Sequence, residues 1–252
     1  MIKYVIAGSG SKGNATFIYS ETTIIQIDMG LPLRAINNAI SLTPYSLSDV
    51  KAIFITHEHD DHIKSLKLKA YKSLNIPTYA GEGTLKEPSH VVEEENSLTI
   101  GDLTILPLKT SHDANHPLGY LIFNGDERLL YMTDTGYIPD ESLPYMVNAD
   151  HYIIESNHDV RMLKESSRPI SLKKRILGEC GHLSNIDSAN YIANLVGEKT
   201  KSITLAHLSM ECNTPEKAID TWNEVFKEKG LDIARYNLRC APQFECIIGG
   251  DI

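Results

Sequence analysis

Three of the ten histidines lie within one stretch of six residues, His57-Glu58-His59-Asp60-Asp61-His62. This stretch directly follows the apolar run VKAIFIT, which is typical of a short buried strand. Imidazole nitrogens and carboxylate oxygens bind divalent metals, so one short loop of this composition could supply ligands to two adjacent ions. Packing does not explain so dense a cluster of polar groups at a strand end. The alternative to a metal site is a solvated turn of acidic residues and histidines, which is the less favoured interpretation.

Three further segments also place a metal-ligand type at the end of a predicted strand. His112 follows LTILPLKTS, Asp134 follows RLLYMT, and His207 follows SITLA. Each is weak evidence alone, because such residues are commonly hydrogen-bonded surface groups or turn formers. In α/β proteins, however, sites are built where strand ends meet at one edge of a sheet. Together the segments predict one site with seven nitrogen and oxygen ligands: His57, His59, Asp61, His62, His112, Asp134 and His207.

The sequence predicts runs of strands followed by helices in both halves of the chain, with successive strands over roughly residues 91–155. The segment IKSLKLKAYKSL, which follows His62, predicts a helix, and residues 187–197 predict another with Asp187 as its N-cap. Thr214 and Pro215 open a further predicted helix. We find no repeat, no low-complexity segment and no linker, so the simplest interpretation is one α/β domain over residues 1–252.

Composition limits the classes of function. The 252 residues carry a net charge of −9, which excludes binding of nucleic acid by a basic surface alone but allows an anionic substrate at a metal site. The longest apolar runs are shorter than the ~20 residues of a membrane span, and the N-terminus lacks the pattern of a signal peptide. The four cysteines show no CxxC spacing, so we expect reduced thiols and a cytoplasmic protein without a membrane partner.

The motifs THEHDDH, SHD, TDTG and LAHLS resemble those of the metallo-β-lactamase fold superfamily, over essentially the whole chain. The segments GSGSKGNA, SHDANHPLGY, TDTGYI, ESNHD, GHLSN and AHLSMECNTPE are similar to the YycJ/WalJ-type branch of that superfamily. The resemblance implies an α/β fold, a four-layer αββα sandwich, with a two-metal site at one edge.

The resemblance also implies a ligand set for each metal. The two sets share Asp134 as a bridging ligand: His57, His59 and His112 for the first metal, and Asp61, His62 and His207 for the second. Asp28 would support the histidine loop from behind, which is the usual role of a carboxylate next to a ligating imidazole. The ligands contain no thiolate, so Zn²⁺ is favoured, with Mn²⁺ and Fe²⁺ as alternatives.

ESNHD and GHLSN resemble motifs of the phosphodiesterase members, which would make Glu155 and His182 a proton-transfer pair. Two divalent cations beside two carboxylates leave a positive site that attracts a phosphodiester and lowers the pKa of a shared water. A metal-bridging hydroxide oriented by Asp61 is therefore the expected nucleophile, and His182 the expected proton donor to the leaving group. His158 either contacts the phosphate or caps its loop.

A basic segment between these two motifs is the best candidate for contact with a polynucleotide backbone. Residues 161–175 contain one acidic residue and six basic ones: Arg161, Lys164, Arg168, Lys173, Lys174 and Arg175. Basic side chains bind phosphates and displace counterions, although a plain surface loop remains the alternative. Ser184 either touches phosphate or forms the N-terminal turn of the following helix, and the helix role is favoured.

The favoured function is a two-metal-dependent phosphodiesterase that hydrolyses nucleic acid, with a 5′-to-3′ DNA exonuclease as its most specific form. One alternative is a hydrolase of a small ester, thioester or lactone in the same fold. Another is a non-catalytic, metal-stabilised regulatory protein, against which the complete ligand set argues. The sequence leaves open the metal, the choice of DNA or RNA, the polarity of digestion and the oligomeric state.

Overall fold

The structure is a computed structural model and describes residues 1–250. The last two residues of the predicted domain 1–252 lie outside the described residues. The chain divides into two compact units. The first contains Met1–Leu108, Ala114–Arg128 and the segment from Pro242 onward, and the second contains Lys109–Asp113 and Leu129–Ala241. That residues 1–252 form one domain stays a prediction.

The first unit contains a mixed sheet in the strand order β14-β1-β2-β3-β4-β5-β6. Its strands are β1 (Lys3–Gly8), β2 (Ala15–Tyr19), β3 (Ile24–Ile27), β4 (Ile53–Phe54), β5 (Thr78–Ala80), β6 (His90–Val91) and β14 (Ile247–Gly250). Pairing is antiparallel from β14 to β3 and parallel from β3 to β6. Strands β1 to β4 are buried almost throughout, which explains why their sequences are nearly continuous apolar runs.

Three more strands and three helices complete this part of the chain. They are β7 (Leu98–Ile100), β8 (Leu103–Lys109), β9 (Leu118–Asn124), α1 (Leu33–Ile40), α2 (Asp60–Ile63) and α3 (Lys69–Lys72). Strands β7 and β8 pair as an antiparallel hairpin that turns at Gly101-Asp102. Helix α1 buries Ile36, Ala39 and Ile40.

The helix predicted for IKSLKLKAYKSL is wrong. Helix α2 ends at Ile63, a 3₁₀ turn covers Lys64–Lys67, and Leu68 is extended before the short α3 begins. The physical reason is a competing set of hydrogen bonds at Ser65. Its backbone N–H donates to the Met29 carbonyl at 2.9 Å, and its hydroxyl donates to the Leu31 carbonyl at 2.5 Å. These bonds hold the turn against the loop that follows β3, and the helix does not continue.

The second unit is organised around four parallel strands in the order β13-β12-β11-β10. They are β10 (Glu127–Met132, in this unit from Leu129), β11 (His151–Glu155), β12 (Ser202–Ala206) and β13 (Asn237–Cys240). The accompanying helices are α4 (Leu143–Met146), α5 (Val160–Glu165), α6 (Ile170–Ile176), α7 (Asn185–Leu195) and α8 (Pro215–Glu228). Because parallel strands end at the same edge, the residues that follow β10, β11 and β12 are neighbours.

The predicted N-cap of α7 is wrong by three residues. Helix α7 begins at Asn185, and its N-cap is Ser184, whose hydroxyl oxygen accepts from the backbone N–H of Asp187 at 3.1 Å. A serine hydroxyl satisfies the otherwise unpaired N–H groups of a first turn, which explains the earlier start. The favoured helix role of Ser184 is therefore the observed one. Helix α8 begins as predicted, with Thr214 as its N-cap.

Among residues 1–250, no helix combines the length and the apolar character that crossing a bilayer requires. The four cysteines are free, as expected: Cys180, Cys212, Cys240 and Cys246.

Candidate metal centre

The histidine loop of the first unit gathers four of the predicted ligands. His57 and His62 are buried, and their ring centroids lie 4.0 Å apart. The ring of His59 lies 4.5 Å from that of His57. The Asp61 Oδ2 atom lies 3.6 Å from the Nε2 of His62. The loop folds this way because His59 is extended directly before α2, so that the chain turns back within one helical turn.

Asp28 fixes the loop from the neighbouring strand. In the parallel pair β3/β4, Ile27 lies opposite Phe54, so Asp28 comes next to Thr56 at the strand ends. Its carboxylate accepts from the Thr56 backbone N–H at 2.9 Å, from the Thr56 hydroxyl, and from Nδ1 of His62 at 2.7 Å. Burial raises the pKa of Asp28 above its usual value, although His62 opposes this shift. The carboxylate occupies the position predicted for it, behind a candidate ligand.

The second unit contains a cluster of two carboxylates and two imidazoles. It is made by Asp134, Glu155, His182 and His207, whose candidate ligand atoms all lie within 4.8 Å of one another. The Nδ1 of His207 lies 3.4 Å from Asp134 Oδ1, and the Nδ1 of His182 lies 3.6 Å from the same oxygen. Asp134 follows β10, Glu155 ends β11 and His207 follows β12.

Glu155 is the centre of this cluster. Its Oε1 atom accepts from Nδ1 of His182 at 2.8 Å and from Nδ1 of His207 at 2.9 Å. Its Oε2 atom accepts from the backbone N–H groups of Thr135 and Leu183. Burial acts to raise the pKa of Glu155, but the two imidazoles and their hydrogen bonds prevail and hold that pKa well below its usual range. The carboxylate is therefore ionised and saturated with donors.

The motifs ESNHD and GHLSN predict a pair of Glu155 and His182 but not the bond between Glu155 and His207. The register of the two strands could have revealed that bond. In the parallel pair β11/β12, Glu155 lies opposite Ala206, so the next residue, His207, comes within reach of the carboxylate.

His112 is a further predicted ligand in the second unit. Its Nδ1 donates to the Gly181 carbonyl at 3.0 Å, and its Nε2 lies 3.9 Å from Asp134 Oδ1. Its ring centroid is 5.1 Å from that of His182. Burial lowers the pKa of His112, which favours the neutral imidazole that metals require.

Three residues of the predicted site have a left-handed backbone. Asp28, Asp134 and His207 have φ of 58°, 56° and 54°; Asp28 and His207 directly follow β3 and β12, and Asp134 is the second residue after β10. Non-glycine residues rarely adopt this conformation, which costs about 1–3 kcal/mol and concentrates at functional sites. Among the described residues, Asn75, Glu95 and Asn148 share it outside the predicted site.

The donor atoms fit divalent metal ions. Four of the predicted histidine ligands have Nδ1 hydrogen-bonded to a protein oxygen: His57 to Thr56, His62 to Asp28, His112 to Gly181 and His207 to Glu155. In metal-binding histidines, such a bond at one nitrogen fixes the ring and leaves the other nitrogen for the metal. We find this arrangement in each unit taken by itself.

His158 is buried, and its carbonyl accepts from the backbone N–H of Asn185, the first residue of α7. Burial lowers the pKa of the His158 ring to about 4, so the ring is neutral at pH 7 and offers no positive charge to a phosphate. Of its two predicted roles, the geometry favours the local structural one.

Most side chains of the basic segment 161–175 are already paired. Arg161 pairs with Glu165 at 2.9 Å, Arg168 with Glu211 at 2.9 Å and Arg175 with Asp113 at 2.6 Å. The Lys173 ammonium donates to two backbone carbonyls. Within residues 1–250, Lys164 and Lys174 are the members of the segment whose side chains have neither an ion pair nor a hydrogen bond to a carbonyl among these contacts. Asp113 and Glu211 lie outside the segment, so a count of its charges could not reveal this neutralisation.

Comparison with known proteins agrees with this geometry. Residues 25–207 match the profile of the family described as the Beta-lactamase superfamily domain. Exodeoxyribonuclease YycJ of Bacillus anthracis is 34% identical over 243 residues, which is 92% of each chain. Exodeoxyribonuclease WalJ of Streptococcus pneumoniae strain D39 is 37% identical over 229 residues, covering 86% of this chain and 85% of that protein.

Solved structures show the same fold. The metallo-β-lactamase fold protein YhfI from Bacillus subtilis superposes with a TM-score of 0.73 at 16% identity, covering 98% of this chain and 99% of that one. The short form of human tRNase Z superposes with a TM-score of 0.62 at 16% identity, covering 97% and 98%. These likenesses confirm the predicted α/β sandwich of the metallo-β-lactamase type. The chain thus belongs to the β-lactamase superfamily, in the branch of the YycJ and WalJ proteins, and is a metal-dependent hydrolase.

Proposed function

We propose that the protein is a two-metal-dependent phosphodiesterase that hydrolyses nucleic acid, most specifically a 5′-to-3′ DNA exonuclease of the cytoplasm. The support from comparison is that both curated relatives, similar over most of their length, are named exodeoxyribonucleases. The support from the structure is the Glu155-centred cluster, which contains a candidate proton donor beside candidate ligands.

We assign two divalent ions, with Zn²⁺ favoured, to the predicted ligand sets. The first set is His57, His59 and His112, the second is Asp61, His62 and His207, and Asp134 is shared. When bound, the two ions would acidify a water molecule and neutralise charge on the phosphodiester. Asp61 lies at a partly exposed position with its carboxylate near His62, and we assign it the orientation of the attacking water.

His182 is the proposed general acid, and the Glu155 cluster is the observation that carries this proposal. The side chains of Glu155, Asp134 and His207 are at most 4% exposed, whereas that of His182 is 18% exposed. His182 is thus the member of the cluster that a substrate can reach. Its Nδ1 bond to the ionised Glu155 orients the ring, and we assign His182 the protonation of the leaving alkoxide.

Lys164 and Lys174 are the proposed contacts to the polynucleotide backbone. Within the basic segment, they are the side chains whose charge is not already taken up by an ion pair or a carbonyl group. Arg168 and Arg175 instead pair with Glu211 and Asp113 outside the segment, and Arg161 and Lys173 bond to partners within it. Ser184 and His158 keep structural roles at the start of α7.

The proposal is tested on the purified, metal-analysed protein with DNA and RNA substrates, single- and double-stranded, labelled at the 5′ or the 3′ end. The expected result is metal-dependent release of mononucleotides from DNA, with the 5′ label released first. A parallel panel of small esters, thioesters and lactones tests the alternative. Turnover of that panel without cleavage of any polynucleotide would overturn the nuclease proposal.

A further inference from the structure

We propose that the side-chain amide of Asn14 binds the Nε2 lone pair of His62, and so competes with the metal for that ligand. Asn14 is then a positioning residue that lowers the affinity of the metal site to which His62 contributes. The inference rests on the proposed function through the role of His62 as a ligand. No part of the ligand set predicted from sequence includes Asn14.

The orientation of the Asn14 amide follows from its hydrogen bonds. Asn14 is fully buried. Its Oδ1 atom lies 2.7 Å from the backbone nitrogen of Gly10, and a backbone N–H can only donate, so this position must be the amide oxygen. The Nδ2 atom therefore faces the carbonyl of Gly10 at 3.1 Å and the Nε2 of His62 at 3.0 Å.

The tautomer of His62 follows from the Asp28 carboxylate and the Asn14 amide, because the Thr56 hydroxyl, 3.0 Å from Nδ1, can accept as well as donate, and the Asp61 Oδ2 atom, 3.6 Å from Nε2, lies beyond hydrogen-bond distance. The carboxylate of Asp28 lies 2.7 Å from Nδ1 and accepts the proton on that nitrogen. The amide NH₂ of Asn14 can only donate, so Nε2 must be the unprotonated nitrogen that accepts. The two constraints agree, and they place an N–H of Asn14 against the lone pair that a metal ion would need.

The backbone around Asn14 keeps the amide in this place. The Asn14 N–H donates to the Asp61 carbonyl at 2.8 Å, and the Asn14 carbonyl accepts from the N–H of Gly30 at 2.9 Å. The loop before Asn14 is thereby bound to the histidine loop itself. A metal ion that approaches Nε2 of His62 must break the hydrogen bond from Asn14 before it can bind.

Two substitutions separate this effect from loosening of the loop. Asn14→Leu removes the N–H donor and fills the space of the amide without adding a charge, whereas Asn14→Ala removes the amide and leaves its space empty. Competition for the lone pair predicts that both variants bind the metal more tightly, by about 3- to 10-fold, as expected from loss of one competing hydrogen bond. Loosening of the loop predicts instead that Asn14→Ala binds the metal more weakly than the wild type.

The measurement is the affinity of the full chain for Zn²⁺, by competition with a chromophoric chelator after the metals have been removed. Asn38→Ala, an exposed asparagine of α1, is the matched control and should bind as the wild type does. The second readout is the ¹⁵N chemical shift of His62 Nε2 in the metal-free protein. It should move toward that of an unbonded imidazole nitrogen in Asn14→Leu, which a purely structural role would not produce.

The outcomes separate this inference from the proposed function. If His62→Ala still binds as many metals as the wild type, the assigned ligand set fails and this inference fails with it. If His62→Ala loses one metal but both Asn14 variants bind Zn²⁺ as the wild type does, only the role of Asn14 is overturned. Should Asn14→Ala not fold, the affinity and the chemical shift of Asn14→Leu decide the question alone.

Discussion

The histidine loop of the first unit and the Glu155 cluster of the second unit are built in different ways. The loop takes its four candidate ligands from six consecutive residues, and one carboxylate, Asp28, bonds one of their imidazoles. The cluster takes its members from the ends of β10, β11 and β12 and from the loop before α7, and one carboxylate, Glu155, bonds two imidazoles. In the second unit, Glu155 alone bonds two imidazoles, whereas Asp28 bonds one in the first unit. We therefore expect replacement of Glu155 to have the larger effect.

Replacement of Glu155 should have the largest effect. All four hydrogen bonds to the Glu155 carboxylate come from donors, so the NH₂ of Glu155→Gln would face N–H groups and leave them unsatisfied. We expect turnover to fall by more than about 10³-fold, because the variant disturbs both the proposed proton donor and a proposed ligand.

Asp28→Asn disturbs one imidazole and should lower metal affinity by about 10- to 100-fold. Parallel measurements of metal affinity and turnover check both; equal losses would show that sharing does not matter.

Replacement of His182 tests whether this residue of the cluster donates a proton while its neighbours bind metal. His182→Ala should lower turnover of DNA by about 10²- to 10⁴-fold while the metal content holds, because a general acid is removed and no proposed ligand is lost. A phosphodiester with a nitrophenol leaving group needs no proton and should recover most of the loss. His90→Ala, at an exposed position on β6, is the control. Equal losses on both substrates would instead indicate phosphate binding or a structural role.

The proximity of the residues in the histidine loop was largely predictable from sequence, whereas the hydrogen bonds that Glu155 shares between two imidazoles were not. The ligands at 57–62 are contiguous, so their proximity follows from chain connectivity alone. The shared use of Glu155 depends on the register of β11 against β12, and the neutralisation of Arg168 and Arg175 depends on Glu211 and Asp113, distant in sequence. The predicted helix after His62 failed for the same reason, because Ser65 bonds to residues 29 and 31, far back along the chain.

The second unit should also carry a pH dependence of its own through His158. Its folded-state pKa of about 4 lies below the ordinary 6.5, so the unfolded chain binds more protons between these values. The stability that this neutral ring contributes is fully present above about pH 6.5 and is lost as the pH falls toward 4, by about 3 kcal/mol in all. Urea unfolding of metal-free wild type and His158→Phe from pH 7 to pH 4 checks this. Parallel curves would contradict the prediction.

The smallest expected effect concerns the basic segment. Lys164→Glu with Lys174→Glu should weaken binding of long duplex DNA and flatten its salt dependence by about two phosphate contacts, each worth a slope of about 0.9. The matched pair Arg161→Glu with Arg168→Glu changes side chains that are already paired with Glu165 and Glu211, and should change the slope less. Filter-binding titrations at several salt concentrations compare the two. A larger change of slope for the arginine pair would reverse the assignment.

The central proposal is that two divalent ions bind to the predicted ligand sets and share Asp134, and elemental analysis of the metal-loaded protein tests it most directly. The account predicts about two metals per chain for the wild type, and less than about one for Asp134→Ala, because a bridging carboxylate serves both ions. A wild type that stays at or below about one metal per chain after loading, or an Asp134→Ala variant that retains both, would contradict the account.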